Sequence, residues 1–404
     1  MSTARAHDIV LFGATGFTGE LTARYLARNA PEGCRWALAG RNPDKLEQLR
    51  QRLAELDPRC AELPLITADV SDESSVRELA GATRTVISTV GPYVRYGEPL
   101  VAACAEAGTD YVDLTGEPEF VDRMYVKYHR RAAESGARLV HACGFDSVPH
   151  DLGVHFTVGQ LPASVPLQIK GMVRAGAQAS GGTLHSLVTA MERFREMSEA
   201  AQERRELEPT ISRRVSSRAG SLRHDRKAGA WLLPFPSLDP RVIATSARAL
   251  AHYGPDFTYR HHIAAKYPTT VLGIGAGLGV LAVAARIKPA RDRVLALLSP
   301  GEGPSPQQRA KSWFRVRFVG EGGGRRVITE VSGGDPGYDE TAKMLAESAL
   351  CLTFDDNPPS KGQVSPAAAM GEALTRRLVA AGIRFRVIAR EGKTGSQQGV
   401  LPRQ

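Results

Sequence analysis

One stretch constrains the architecture of this chain more than any other. Residues 8–26, "DIVLFGATGFTGELTARYL", run from an apolar, strand-like segment through Gly13, Gly16 and Gly19 into a segment of helical period. Glycines at this spacing have separate uses: Gly13 allows a tight turn, Gly16 lets the backbone approach a diphosphate, and Gly19 lets helix and strand pack closely. The first amides of the helix have no intrahelical partner and carry a partial positive charge, which suits phosphate oxygens. Glycine turns are common, so the surroundings decide what this one means.

The surroundings are an alternation. From Ile9 to about His150 six apolar runs, "DIVLFG", "RWALAG", "LPLITADV", "RTVISTVG", "TDYVDLTG" and "RLVHACG", are separated by amphipathic segments. Those segments open near Gly16, Pro43, Asp72, Glu98 and Glu119, and several stop at Gly81, Gly108 and Gly136, where left-handed caps fit. The expected fold class is α/β: a Rossmann-type doubly wound parallel sheet over residues 1–150, with the turn of Gly13, Thr15, Gly16, Phe17, Thr18 and Gly19 gripping a dinucleotide. Where an NAD-binding unit carries an acid for the ribose 2′-OH, the second strand ends in Gly40, Arg41 and Asn42. A guanidinium cannot accept that hydrogen bond but pairs with a 2′-phosphate, so NADP(H) is the expected cofactor; the alternative makes Arg41 a surface charge. Asp69 is expected at the adenine edge, or as a helix cap.

Thr89, Val90, Gly91 and Pro92 close the fourth strand at the carboxyl edge, where such sheets bind ligands. Tyr93 beside them reads equally as a proton donor to the substrate and as an aromatic covering the sheet edge. Asp113 and Glu117 end the fifth strand; they orient substrate, or cap the next helix and pair with local arginines.

After Pro149 the pattern changes, and an α+β substrate domain is expected over residues 151–337, followed by C-terminal helices and a strand over 338–404 that pack back toward the first domain. A basic excursion at 199–228, with six basic side chains against Asp225 between Ser212 and Lys227, reads as a solvated surface or as a patch for an acidic carrier, phosphate or membrane. "WFRVRFVGEGGGRRVITEVSGG" is a hairpin pattern, and "YDETAKMLAESALCL" and "SPAAAMGEALTRRLVAAG" are two helices. The apolar, glycine-rich run 268–285 lacks a following ribose-reading strand, so it is no second nucleotide site; it reads as a buried helix or a lipid-facing wall.

Other classes lose support. The net charge of +9 favours anionic partners without pointing to nucleic acid, and the five scattered cysteines form neither a disulfide framework nor a zinc knuckle. Ten histidines include no HExxH pair, so no metal is expected. No tyrosine is followed four residues later by lysine, and no GxSxG elbow occurs. The first residues carry no leader-like apolar core, and the expected location is the cytoplasm, with peripheral membrane contact left open.

Taken together, "GATGFTGELTARYL", "AGRNPDKL", "VISTVGPYVRYGEPLVAACAEAGTDYVDLTGE" and "GFDSVPHDLG" resemble the saccharopine dehydrogenase-like oxidoreductases. "SGGTLHS", "GDPGYDETAKMLAESAL" and "SPAAAMGEAL" point within them to the trans-acting enoyl reductase branch. The resemblance implies a saccharopine reductase-like fold and NADPH as hydride source. It also implies reduction of a carbon–carbon double bond in a lipid-like or carrier-bound acyl chain. Such chemistry needs donors for an enolate oxygen. Backbone amides from Gly144 to Ser147, or from Gly181 to Thr183, are candidates, with Glu117, Asp146, Ser147 and Thr183 on the substrate side. Alternatives are a C–N oxidoreductase of the saccharopine type acting on amino acids, and an NADP(H)-sensing protein without catalysis. A homodimer is left open.

Overall fold

The computed structural model describes residues 5–176, 192–226, 228–235, 237–287 and 303–392, with the single positions 188, 289 and 293. Its first sheet contains the six expected strands: β1 (His7–Phe12), β2 (Trp36–Gly40), β3 (Leu65–Thr67), β4 (Thr83–Ser88), β5 (Asp110–Asp113) and β6 (Arg138–Val140). Side-chain alternation explains its two covered faces. Ile9 and Leu11 point into one apolar layer, Val10 and Phe12 into the other, and all four are buried. Helices α1 (Phe17–Asn29), α2 (Pro43–Ala54), α3 (Glu73–Ala82), α4 (Tyr93–Tyr96), α5 (Glu98–Ala107) and α6 (Pro118–Ser135) connect the strands. Gly108 and Gly136 are left-handed C-caps with φ of 69° and 88°, as the pattern requires. Gly81 instead lies inside the last turn of α3, which stops at Thr83.

After helix α7 (Val148–Val158) the chain builds a second, mixed sheet. Its strands are β7 (Leu167–Ala175), β8 (Arg214–Ala219), β9 (Arg223–Asp225), β10 (Ala230–Pro234), β11 (Asp256–Ala265), β12 (Phe314–Gly322) and β13 (Arg325–Gly333). The predicted hairpin is β12–β13, joined by Gly323 and Gly324 at φ of 57° and 73°, a pair that only residues tolerant of left-handed backbone can fill. Helices α8 (Phe194–Leu207), α9 (Asp239–Ala249), α10 (Pro268–Arg286) and α11 (Pro306–Lys311) lie between these strands in the chain; α8 packs back on α6, and α9 on β8, β11 and α7.

The C-terminal stretch serves both sheets. Helix α12 (Asp339–Phe354) packs on α1 and on the first sheet, and β14 (Gly362–Val364) becomes that sheet's seventh strand beside β6. The resulting all-parallel order is β14-β6-β5-β4-β1-β2-β3. The helix expected from Ser365 to Gly382 is broken into α13 (Pro366–Ala369) and α14 (Gly371–Ala380), because Gly371 takes a φ of 44°. Strand β15 (Arg384–Glu391) does not return to the first sheet as expected; it pairs with β13 at the edge of the second. Tyr25 of α1 donates to Glu347 of α12 at 2.7 Å, and Glu347 also pairs with Arg377 of α14 at 3.1 Å, which ties these helices together.

Two expectations about the second part change. Part of the basic excursion is not solvated: Arg213 donates to the carbonyls of Ala247, Arg248, Leu250 and Gly254, and the buried Arg204 pairs with Asp122 and Glu208 while lying over the Tyr125 ring. Arg204 and Arg213 are therefore structural, while Arg223 and Arg226 remain exposed. The apolar run 268–285 is a helix, but an exposed one, with Leu272 at 75%.

Helix α7 joins the two sheets. It follows β6 and packs on β12 and β13, and Gly153 makes the approach possible because a Cβ there would come within 2.3 Å of the fully buried Phe318 ring. Gly153→Val is expected to destabilise the protein by ~1–3 kcal/mol through overpacking, measured as a lower midpoint in urea unfolding with an unchanged slope.

Candidate functional site

The glycine turn lies at the carboxyl edge of the first sheet, clamped by its neighbours. Gly13 and Ala14 donate to the Ala39 carbonyl, Thr89 donates through its amide to Phe12, and its Oγ1 lies 3.0 Å from the Gly13 carbonyl. Gly13 has a φ of 83° and a Cβ there would come within 2.6 Å of Val90, while at Gly19 it would come within 2.2 Å of the Gly13 carbonyl. Only glycine fits either position. Gly16 differs: its Cβ would meet nothing nearer than the Gly13 carbonyl at 3.5 Å, so the protein leaves that face open. Gly16 is the N-cap of α1 and no side chain caps the helix, so the first-turn amides, including those of Phe17 and Thr18, remain for an anion. This cradle fits a dinucleotide diphosphate. The Phe17 ring turns away, edge-on to Tyr338 with Arg309 above it, so that residue's offering to a phosphate is its amide.

At the end of β2 the Arg41 side chain is 78% exposed, with its Nε 3.9 Å from Asp69 Oδ2. Asn42 is the N-cap of α2, accepting from the Lys45 amide. Asp69 accepts from the amide and hydroxyl of Ser71, which hold its carboxyl below the usual carboxylate range. Arg41 is thus loosely held and able to turn to a 2′-phosphate, whereas Asn42 is committed to its helix.

The rim from β4 to β6 is laced by two buried carboxylates. Glu117 accepts from the amides of Tyr93 and Val94 at 2.9 and 2.8 Å; burial nonetheless raises its pKa. Asp113 accepts from the amides of Thr115 and Ala142 and contacts His141 Nδ1 at 2.7 Å. These contacts correct two expectations. Glu117 holds the loop after Pro92 instead of facing substrate, and Tyr93 is buried with its hydroxyl donating to the Ser88 carbonyl and accepting from the Leu114 amide. Tyr93 bridges two strand ends, the sheet-edge role, and has no hydroxyl to spare as a proton donor. Burial pushes its pKa well up, in keeping with that role.

The bend "CGFDSVP" completes the rim. Ala142 has a φ of 59°, the one non-glycine in that region among the described residues, and Asp113 holds it there. Phe145 donates to Thr341 Oγ1, and a Cβ on Gly144 would come within 3.1 Å of the Thr341 methyl, so "GFDS" and "GDPGYDET" meet here. The Phe145 and Ser147 amides are occupied, by Thr341 and the Gly144 carbonyl, which narrows the oxyanion candidates in this bend to Gly144 and Asp146. Ser147 is buried with Oγ unpaired, and Asp146 is half-buried. Burial, with the charge of Asp239 behind it, pushes the Asp146 carboxyl up to about 6 against the opposing pull of His150. Thr183 and the segment from Gly181 lie outside the described residues. No metal was expected; among the described residues His150, Asp239 and His261 are the one group whose ligand atoms, within 4.8 Å of one another, could hold one.

Three signals were missed in the sequence: His141 as partner of Asp113, the strained Ala142, and Thr341. "DLTGE" marked Asp113, but nothing local to His141 or Thr341 says that the fold carries them to the same edge.

Known proteins resemble this chain in sequence and in fold. Residues 9–140 match the family model of the saccharopine dehydrogenase NADP binding domain. A putative trans-acting enoyl reductase of Mycobacterium tuberculosis is 37% identical over 412 residues, covering 95% of this chain and 97% of the relative. A trans-acting enoyl reductase of Mycobacterium ulcerans is 36% identical over 418 residues, covering 95% and 98%. In structure, the apo saccharopine dehydrogenase (L-Glu forming) of Saccharomyces cerevisiae matches 95% of this chain and 100% of its own at a TM-score of 0.55 and 11% identity, a likeness of fold.

Arg41→Asp is expected to weaken NADPH binding at least about tenfold, ~1.4 kcal/mol, and to leave NADH binding unchanged, by calorimetric titration. Tyr93→Phe is expected to keep kcat within about twofold; loss of a general acid would lower it by about 10²-fold or more.

Proposed function

The chain belongs to the saccharopine dehydrogenase-like oxidoreductases, in their trans-acting enoyl reductase branch, and from that premise we propose that it reduces the carbon–carbon double bond of an acyl chain presented by a separate carrier. It is an NADP-dependent oxidoreductase. The observation that carries the reading is full-length similarity to enoyl reductases combined with a glycine cradle open at Gly16 and a cation, Arg41, at the end of β2.

NADPH, when bound, supplies a hydride to the β carbon of the enoyl group. The rest is work for this chain. The amides at the start of α1 would hold the diphosphate and Arg41 the 2′-phosphate, with Asp69 available to the adenosine. Thr89, Val90, Gly91 and Pro92 form the wall beside the nicotinamide ribose, held by the grip of Glu117 on the next two amides. As negative charge grows on the thioester oxygen, the amides of Gly144 and Asp146 donate to it. Asp146 delivers a proton to the α carbon of the enolate and is left as a carboxylate, to be reprotonated from solvent; its support is a half-buried position beside those amides and a pKa lifted toward neutrality, where an acid is both protonated and able to give its proton up.

Following NADPH absorbance with an enoyl thioester on a carrier domain, the same acyl group on coenzyme A, and a keto acid with an amino acid tests this reading. Turnover is expected with the first two, faster with the carrier, and none with the third. Turnover with the third alone would replace enoyl reduction by C–N chemistry. Because the acid must hold its proton, kcat is expected to fall as pH rises through about 6, the Asp146 value. Asp146→Asn is expected to lower kcat by about 10²-fold and to remove that limb; an unchanged profile would exclude Asp146 as the acid.

A further inference from the structure

Helix α10 is apolar on every side and, among its described side chains, is covered by the fold only in part. Its run from Pro268 to Ala285 contains no charged residue. Val271, Ile274 and Leu281 are partly covered, while Leu272, Val280 and Val283 on the outer side are 60 to 75% exposed. A helix apolar all round belongs in a core or against lipid, and an exposed patch of this kind marks a contact surface. Among the described residues no helix is long and apolar enough to cross a membrane, so spanning is not its use.

The sheet brings a second feature to the same place. Strand β11 feeds directly into α10, and the register aligns Ala265 of β11 with Trp231 of β10, and Trp231 with His224 of β9. Positions 223–226, the end of the basic excursion, therefore lie two strands, about 10 Å, from the root of an apolar helix some forty residues later in the chain. Arg223, Arg226 and Lys266 are exposed there, and the Lys266 ammonium lies over the ring of the exposed Tyr267 at 5.1 Å. In the sequence, Arg286 closes the helix and Lys288, Arg291 and Arg293 follow it against Asp292. An uncharged apolar rod with cations and an aromatic at its start is complementary to a bilayer whose anionic head groups overlie hydrocarbon. An acidic protein partner would match the cations but not the rod.

We propose that α10 docks the protein on an anionic membrane surface, its outer face seated among acyl chains in the plane of the interface and Arg223, Arg226 and Lys266 against lipid phosphates. The inference rests on this end of the second sheet and not on the reaction proposed above.

Flotation of the full chain with phosphatidylcholine vesicles, with and without phosphatidylglycerol, tests it. Binding is expected only to the anionic vesicles and is expected to weaken with salt. The triple variant L272E/V280E/V283E should lose at least about tenfold in vesicle partitioning while keeping its NADPH affinity, which shows that it folds. R223E/R226E should lose binding at low salt and differ little from the native chain at high salt. Absence of flotation by the native chain, or equal flotation by the triple variant, would overturn the proposal. So would a native dimer, seen in sedimentation equilibrium, that the triple variant breaks without any vesicle binding: a second copy would then cover the helix.

Discussion

Two carboxylates buried at the ends of parallel strands hold the rim of the cleft in shape. Removing a carboxylate from water is costly unless its oxygens are met by donors, and here the donors are mostly backbone amides. Glu117 takes those of Tyr93 and Val94; Asp113 takes those of Thr115 and Ala142 and the imidazole of His141. Each carboxylate thus fixes a different strand from its own. The loop after β4 is tied to the β5–α6 connection, and the bend after β6 is tied to β5. The strained Ala142 persists because this lacing over-determines it.

That rim separates a side fitted to the cofactor from a side proposed for the substrate. The cofactor side is backbone: a glycine turn, helix-end amides and strand ends in fixed register. The proposed substrate side is assembled from distant pieces, the "GFDS" bend, Thr341 from the C-terminal stretch, and the second sheet reached through α7. Gly153 is where the two halves meet, since any larger residue pushes α7 off Phe318.

Much of this was legible in the sequence because local pattern and global fold agree there. Strand alternation marked all six strands of the first sheet from β1 to β6, and the paired glycines marked the β12–β13 turn. Legibility failed where meaning depends on distant partners. The three residues of β14 make a strand only because β6 has a free edge for them, and β8 pairs beside β11 through register that no local signal encodes. Tyr93 and Glu117 are residue types that do chemistry elsewhere; here their polar atoms are consumed by backbone groups, most of them more than twenty residues away. The apolar run 268–285 announced a helix, but hydropathy cannot say whether the fold will cover it, and it does so only in part.

The account stands on the turn between β1 and α1 gripping a nucleotide that carries a 2′-phosphate. Calorimetric titration of the native chain with NADPH and, separately, with NADH tests this most directly. One site per chain with a clear preference for NADPH is the predicted result; no heat with either, or equal affinity for both, would contradict it.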